Sequence, residues 1–252
     1  MISIRDLSVV IIAKDEEKNI YRCISNLPEA GEVIIVDNGS KDRTMEIGQY
    51  LGTVIYDAGN IHGFSNLRKL GLNKVKNDWV LFVDADEVVS ISLRREIESS
   101  INADDNVSYI IPRLNLYFGR FLRFGGFHPD HQLRLFKKNM VIISDRLIHE
   151  SIISNNKTVV LKNPIIHLSY PSLSSYIRKQ AFYIPLMVEE MKRNGVRRDF
   201  MYRIFRLYIK PCGRFLLRFI IRFGVFDGWQ GLFACLFDAR IKYLSYREYI
   251  KR

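Results

Sequence analysis

Three cysteines in 252 residues, Cys23, Cys212 and Cys235, are too few and too widely spaced for a disulfide framework, a CxxC redox pair or a cysteine metal knuckle. Buried free thiols in a reducing compartment are the expectation. No apolar run reaches the roughly 18–20 residues that span a bilayer. The run at residues 9–13, preceded directly by Arg5 and Asp6, is too short for a signal peptide. The expected location is therefore cytoplasmic. Glycine is missing from the first turn, Ala13-Lys14-Asp15-Glu16-Glu17, where a dinucleotide-binding fingerprint needs it to bring backbone against pyrophosphate. The acids there would repel phosphate. Acids are scarce in turn at the other end. From Lys192 onward fifteen bases face four acids, which accounts for the whole net charge of +11 and leaves residues 1–191 close to neutral.

What is present is an alternation of buried-strand runs and helical patterns. Residues 9–13 and 33–36 are apolar, partly β-branched runs, and 54–56 is a third strand. Between them Ile20, Cys23, Ile24 and Leu27 follow a helical period that stops at Pro28. Asp42 stands where it can cap a helix carrying Met45, Ile47 and Leu51, which Gly52 closes. A further helix is expected from about Ser65 to Val75, ahead of the run Val80-Leu81-Phe82-Val83. Strand–helix alternation with short turns predicts a doubly wound α/β domain with right-handed crossovers.

The central run ends at Asp84-Ala85-Asp86-Glu87. On an extended backbone the aspartates at i and i+2 point to one side. Three acids within four residues repel unless a cation shares the site, and Mg²⁺ or Mn²⁺ takes carboxylate and phosphate oxygens together. The carboxyl edge of an open α/β sheet is also where ligands bind. A divalent metal holding a diphosphate at Asp84 and Asp86 is thus one reading; a strand-to-helix turn with an acid capping the helix near Ser92 is the other. Asp37, at the end of the second strand, can accept hydrogen bonds from a nucleoside or bond the backbone of its own turn.

Residues 9–20 (Val-Val-Ile-Ile-Ala-Lys-Asp-Glu-Glu-Lys-Asn-Ile), residues 32–44 (Glu-Val-Ile-Ile-Val-Asp-Asn-Gly-Ser-Lys-Asp-Arg-Thr) and residues 78–87 resemble, in order and spacing, the three signatures of the family 2 glycosyltransferases. The resemblance implies the GT-A fold, a Rossmann-like, mostly parallel sheet that binds nucleotide-diphospho-sugars. It implies that Asp37 holds the uracil, that Glu16 lies near the base, and that Asp84 and Asp86 hold the ribose and the metal-bridged diphosphate. Asp15 stands where the family usually has Asn. Arg68-Lys69 stands where it often has Arg-Asn, so Arg68 remains as a phosphate or base contact. Residues 125–136, from Gly125-Gly126 through Asp130, Arg134 and Phe136, resemble the acceptor side of a subfamily of bacterial lipopolysaccharide-core sugar transferases. Asp130 would be the base and Arg134 would belong to the acceptor region; the other reading pairs Asp130 with Arg134 in a turn. His167, after Asn163-Pro164, fits the metal-completing histidine of the fold, while His149 and Glu150 resemble acceptor-pocket residues. Each histidine could equally be a core or turn residue.

From Ser172 the pattern is helical to the end, so the expected organisation is a GT-A domain over residues 1–170 and a basic helical appendage over 171–252. Pro185 and Pro211 are expected to kink its helices. Arg203, Arg206, Lys210, Arg214, Arg218 and Arg222 recur at helical spacing, with aromatic and aliphatic residues opposite. That pattern describes either a helix lying on an anionic membrane surface through its arginines or an ordinary amphipathic helix packed on the domain. The expected partners are a nucleotide-sugar donor, UDP-linked as the resemblance implies, and a lipid-linked glycan acceptor at the inner face of the cytoplasmic membrane. A nucleotidyltransferase is disfavoured by the acids of the first loop, and nucleic-acid binding by the separation of aromatics and arginines onto different helical faces.

Overall fold

The computed structural model describes residues 3–59, 61, 63–103, 106–144 and 152–251. The strands are β1 (Leu7–Ala13), β2 (Glu32–Asp37), β3 (Val54–Asp57), β4 (Trp79–Asp84), β5 (Glu87–Val88), β6 (Val107–Tyr117), β7 (Arg120–Phe121), β8 (Asp130–Lys137), β9 (Val141–Ile143), β10 (Ile152–Ser154), β11 (Lys157–Val160) and β12 (Ile165–Tyr170). The helices that accompany them are α1 (Ile20–Ser25), α2 (Thr44–Tyr50), α3 (Phe64–Lys74), α4 (Ile91–Ile101) and α5 (Leu173–Arg193). Two helical segments follow, Phe200–Ile221 and Gly228–Lys251. The chain forms two compact units, one of residues 1–113 and 131–167, the other of residues 114–130 and 168–252. The linear division at residue 170 expected from the sequence gives no separate place to residues 114–130, which cluster with the C-terminal helices.

In the first unit β1 lies between β2 and β4 and is parallel to both, and β3 extends the parallel set beyond β2. Every residue of β1 is buried. Its alternate side chains feed two cores: Leu7, Val9 and Ile11 meet Ile20, Cys23 and α4's Leu93 and Ile97, while Val10 and Ile12 meet Leu67 of α3. Burial on both faces is why these strands read as unbroken apolar runs. Gly71 lets α3 approach, because a Cβ there would stand 2.4 Å from Val10 Cγ1. The chain crosses from β3 to β4 on the other side of β1, so strand order reverses there and opens a crevice at the carboxyl ends. Beyond β4 the sheet continues as β8, β6, β12 and β5, with β8 antiparallel to β4.

Helix starts follow local chemistry. The Oγ of Ser90 accepts from Leu93 N and begins α4, so a serine rather than an acid caps it. Asp42, expected to cap α2, stands one residue before the N-cap position, which Arg43 holds without a side-chain bond, and accepts the N–H of Thr44. Glu96 of α4 performs a tertiary version of the same task. Its carboxylate accepts the N–H groups of Lys162 and Asn163 and the Asn163 amide, at 2.7–2.8 Å, just ahead of β12.

Partial burial of Glu96 works to raise its pKa, but the backbone N–H groups of Lys162 and Asn163 and the Asn163 amide outweigh it and hold the carboxyl below its ordinary value. A depressed folded-state pKa gives stability that is present above the unfolded value, near 4.3, and is lost as pH falls through the folded one. Glu96→Gln should therefore lower stability by about 1–3 kcal/mol at neutral pH, and the difference from wild type should shrink as unfolding is measured at successively lower pH below about 4. A difference that is constant across that range would remove the carboxylate charge from the account.

Candidate active site

The first two parallel turns are laced together. Asp15 N and Glu16 N donate to Ser40 Oγ (2.9 Å) and Thr44 Oγ1 (2.8 Å), Glu17 N donates to Asp42 (3.0 Å), and Lys41 N returns a bond to Asp15 Oδ1 (2.8 Å). Asp15 has φ 54°, in the left-handed region that Asn and Asp tolerate best among residues with a side chain. It needs only a carbonyl-type acceptor toward Lys41, which Asn also carries, so the departure from the family's Asn leaves this turn's geometry intact. The side chain of Glu16 accepts from Asn19 Nδ2 at 2.7 Å.

Asp37 is fully buried at the end of β2 and accepts the N–H (2.8 Å) and hydroxyl (2.5 Å) of Ser40. The turn role weighed in the sequence is thus present, directed at Ser40 rather than at residues 38 and 39. Asp37 is in register with Ala13 on one side of β1, and Asp84 with Ile12 on the other. Both residues stand at the carboxyl end of the sheet, on strands two spacings, about 10 Å, apart, and their registers on β1 differ by one residue.

At Asp84 the expected repulsion among acids is resolved by arginines. Arg134 Nη2 reaches Asp84 Oδ2 at 2.6 Å and Glu87 Oε1 at 2.8 Å. Arg68 bonds Asp84 Oδ1 at 3.3 Å, and Arg113 stands 3.9 Å from Asp84 and 3.6 Å from Glu87. The other oxygen of Glu87 accepts the N–H of Asp84 at 2.9 Å. Arg134 is 2% exposed and the Glu87 side chain 0%. Charges so buried are tolerated because each has an opposite partner and a hydrogen bond. Burial alone would raise the Asp84 pKa; Arg134 and then Arg68 outweigh it and hold the carboxyl well below the ordinary range. At Glu87 burial wins over the attraction of Arg134, and its pKa is raised. Burial works against the charge on Arg134, but Asp84 and Glu87 hold it firmly protonated.

Arg134 is therefore a partner of the Asp-x-Asp segment. The acceptor-side role expected of it, and the turn pairing with Asp130, give way to this placement because its guanidinium is enclosed by Asp84 and Glu87. Glu87 and Arg113 received no role from the sequence. An arginine directly after Pro112, in a mostly apolar stretch, was the signal available for Arg113.

Asp86 points elsewhere. The short strand β5 pairs antiparallel with β12, with His167 opposite Glu87. That register brings His167 Nε2 to 3.2 Å from Asp86 Oδ2, the two side chains 12% and 16% exposed. Among the described residues no cluster of three or more His, Cys, Asp or Glu side chains forms a ready-made metal cage. A carboxylate and an imidazole nonetheless fit Mn²⁺ or Mg²⁺ of the kind that takes one or two protein ligands and completes its shell with substrate phosphate and water.

In the second unit Asp130 opens β8. The loop just before it is tied down by Asp227, a buried carboxylate that accepts the N–H groups of Arg123 (3.1 Å) and Phe124 (2.9 Å). Gly125 donates to the Arg222 carbonyl at 2.8 Å and accepts from Arg218 Nη1 at 3.0 Å. The anchor is supplied by the 3-10 turn Gly224–Asp227. The candidate acceptor residues His149 and Glu150 lie outside the described residues.

The profile of glycosyl transferase family 2 matches residues 8–179. An uncharacterized glycosyltransferase of Rickettsia typhi is 29% identical over 97% of this chain and 87% of its own length. The lipopolysaccharide core biosynthesis glycosyltransferase LpsC of Rhizobium meliloti is 25% identical over 98% of this chain and 92% of its own. Among solved structures, glucosyl-3-phosphoglycerate synthase from Mycobacterium tuberculosis, in complex with Mn²⁺, UDP and glucosyl-3-phosphoglycerate, superposes with a TM-score of 0.51 at 15% identity, over 77% of this chain and 82% of that one. A mostly parallel sheet with an aspartate at the carboxyl end of both β2 and β4, the match over residues 8–179 and this likeness of fold lead to one assignment: the chain belongs to the family 2 glycosyltransferases and has the GT-A fold.

Proposed function

We propose that the protein is a metal-dependent, inverting hexosyltransferase that moves a sugar from a UDP-sugar to a lipid-linked glycan acceptor in lipopolysaccharide or related cell-envelope polysaccharide synthesis, working at the inner face of the cytoplasmic membrane. The observation that carries the reading is the Asp86–His167 pair, 3.2 Å apart, beside an Asp84 whose charge the arginines already balance. Support for the acceptor class comes from likeness to LpsC, and for the donor from the UDP and Mn²⁺ named in the mycobacterial complex. Family membership sets aside the nucleotidyltransferase and nucleic-acid-binding alternatives.

In this reading Asp37 accepts from the uracil and Glu16 lies beside the base. Asp84, held by Arg134, accepts from the ribose. Arg68, only 15% exposed, faces the diphosphate. Asp86 and His167 would hold Mg²⁺ or Mn²⁺, which supplies positive charge against the charge that builds on the leaving diphosphate. Asp130 takes the proton from the acceptor hydroxyl as that oxygen bonds to the anomeric carbon and the bond to the diphosphate oxygen breaks on the opposite face. Configuration inverts, and UDP leaves with the bonding electron pair.

Two measurements check these roles. UDP at about a hundredfold excess over its Kd should raise the melting temperature by about 5–10 °C when Mn²⁺ or Mg²⁺ is present. Asp86→Ala and His167→Ala should each abolish that metal dependence, whereas equal stabilisation in EDTA would count against the metal role. Asp130→Asn keeps shape and removes the proton acceptor, so turnover should fall by about 10²–10⁴ with donor affinity near wild type. Near-normal turnover would take Asp130 out of the mechanism and point to Glu150.

A further inference from the structure

The basic row of the Phe200–Ile221 helix does not face solvent as a set. Within the second unit Arg214 and Arg218 both pair with Asp238 of the last helix. The Arg206 guanidinium lies 5.2 Å from the Tyr246 ring centre and 5.8 Å from that of Tyr202. Residues at a spacing of four would wander by about 40° per step on a regular α-helix. Two π-helical turns, Phe205–Ile209 and Leu217–Ile221, each take in an extra residue, and Arg206, Arg214 and Arg218 of the row are half-buried while its other three bases stay exposed. Pro211, expected to kink or break the helix, sits right after the first of these turns, and helical dihedrals continue through Ile209 and Lys210.

The same geometry puts the opposite row outside. Phe205, Ile209, Leu216 and Ile220 are exposed, Ile209 by 58%, and the row continues through Phe223 and Phe226 of the turn. Its edges carry the exposed bases Arg203, Lys210 and Arg222. Not one acid occurs from Phe200 to Phe226. Among the described residues no single helix is long and apolar enough to cross a membrane; the Phe200–Ile221 and Gly224–Lys251 segments pass such a test only together, and they are bent by 75°.

We infer that this apolar side inserts into the headgroup–acyl boundary of an anionic bilayer, with the helix parallel to the surface. Held by inserted side chains, it uses the half-buried arginines of its basic row for internal packing; the exposed bases at its edges snorkel to lipid phosphates. This reverses the expectation that the arginines carry the attachment. A second copy of the chain is a poor occupant, since a twofold contact would bring two acid-free, basic edges together. The inference deepens the reading of a membrane-borne acceptor and rests on it for the purpose of attachment, while its own test reads lipid binding alone.

The test is flotation of the full chain with vesicles of phosphatidylcholine, with and without phosphatidylglycerol, at low and high salt. Wild type should float with the anionic vesicles and remain bound at high salt. Brominated acyl chains should quench Trp229, at the start of the last helix, while Trp79, buried in the first unit's core, stays unquenched. The double variant Ile209→Asn/Ile220→Asn should bind ~tenfold or more weakly, with unchanged melting temperature and unchanged UDP binding. Arg203→Gln/Lys210→Gln should lose only the preference for anionic vesicles. Wild type that stays in the aqueous phase, a double variant that still floats, or complete release by salt would each overturn the inference. So would a dimer that the Asn variant converts to monomer without any lipid binding. Loss of UDP binding in wild type would count instead against the transferase assignment of the site.

Discussion

The Asp84–Arg134–Glu87 ion cluster is the constraint on which the rest of the site depends. Glu87 and Arg134 are buried almost completely at the end of a central strand. In that environment a lone charge costs several kcal/mol, and removing one partner of such a cluster typically costs about 3–5 kcal/mol. Three arginines therefore come to two acids, Asp84 and Glu87. Once Arg134 has closed on Asp84 and Glu87, the Asp84 carboxylate is fixed in position and in charge, and Asp86 is the acid that faces away toward β12. One pairing thus divides two aspartates, chemically alike and two residues apart, into a polar fixture and an acid left to meet His167.

The second unit shows the same economy with charge. Its excess of bases looks, along the chain, like a surface for anions. In three dimensions Asp238 takes two arginines, tyrosine rings take another, and Asp227 spends its carboxylate on the backbone of the loop before Asp130. The helix that carries the basic row turns its apolar row outward, so the second unit presents to solvent the side chains that a soluble domain would bury.

Much of the α/β framework was legible in the sequence because its signals are local. β1, β2 and β4 are buried on both faces and read as apolar runs; Pro28, Asp42 and Gly52 punctuate the helices between them. Asp37 and Asp84 were legible as candidates because each ends such a run. What escaped was whatever depends on pairing between distant segments. His167 was singled out only through the family resemblance; its approach to Asp86 follows from the antiparallel register of β12 on the two-residue strand β5, which no local pattern encodes. The partners of Arg134 are 47 and 50 residues away in the chain, so its neighbour Asp130 looked the more natural companion. The half-burial of Arg206, Arg214 and Arg218 goes with π-helical turns and with Asp238, neither of which a regular helical wheel contains.

A crystal structure of the chain with UDP and Mn²⁺ would test the central claim most directly. The account predicts the metal on Asp86 and His167, with diphosphate oxygens completing its shell, and Arg134 still bonded to Asp84 and Glu87. A metal bound by Asp84 with Arg134 displaced, or a diphosphate held by the arginines with no metal at Asp86, would contradict it.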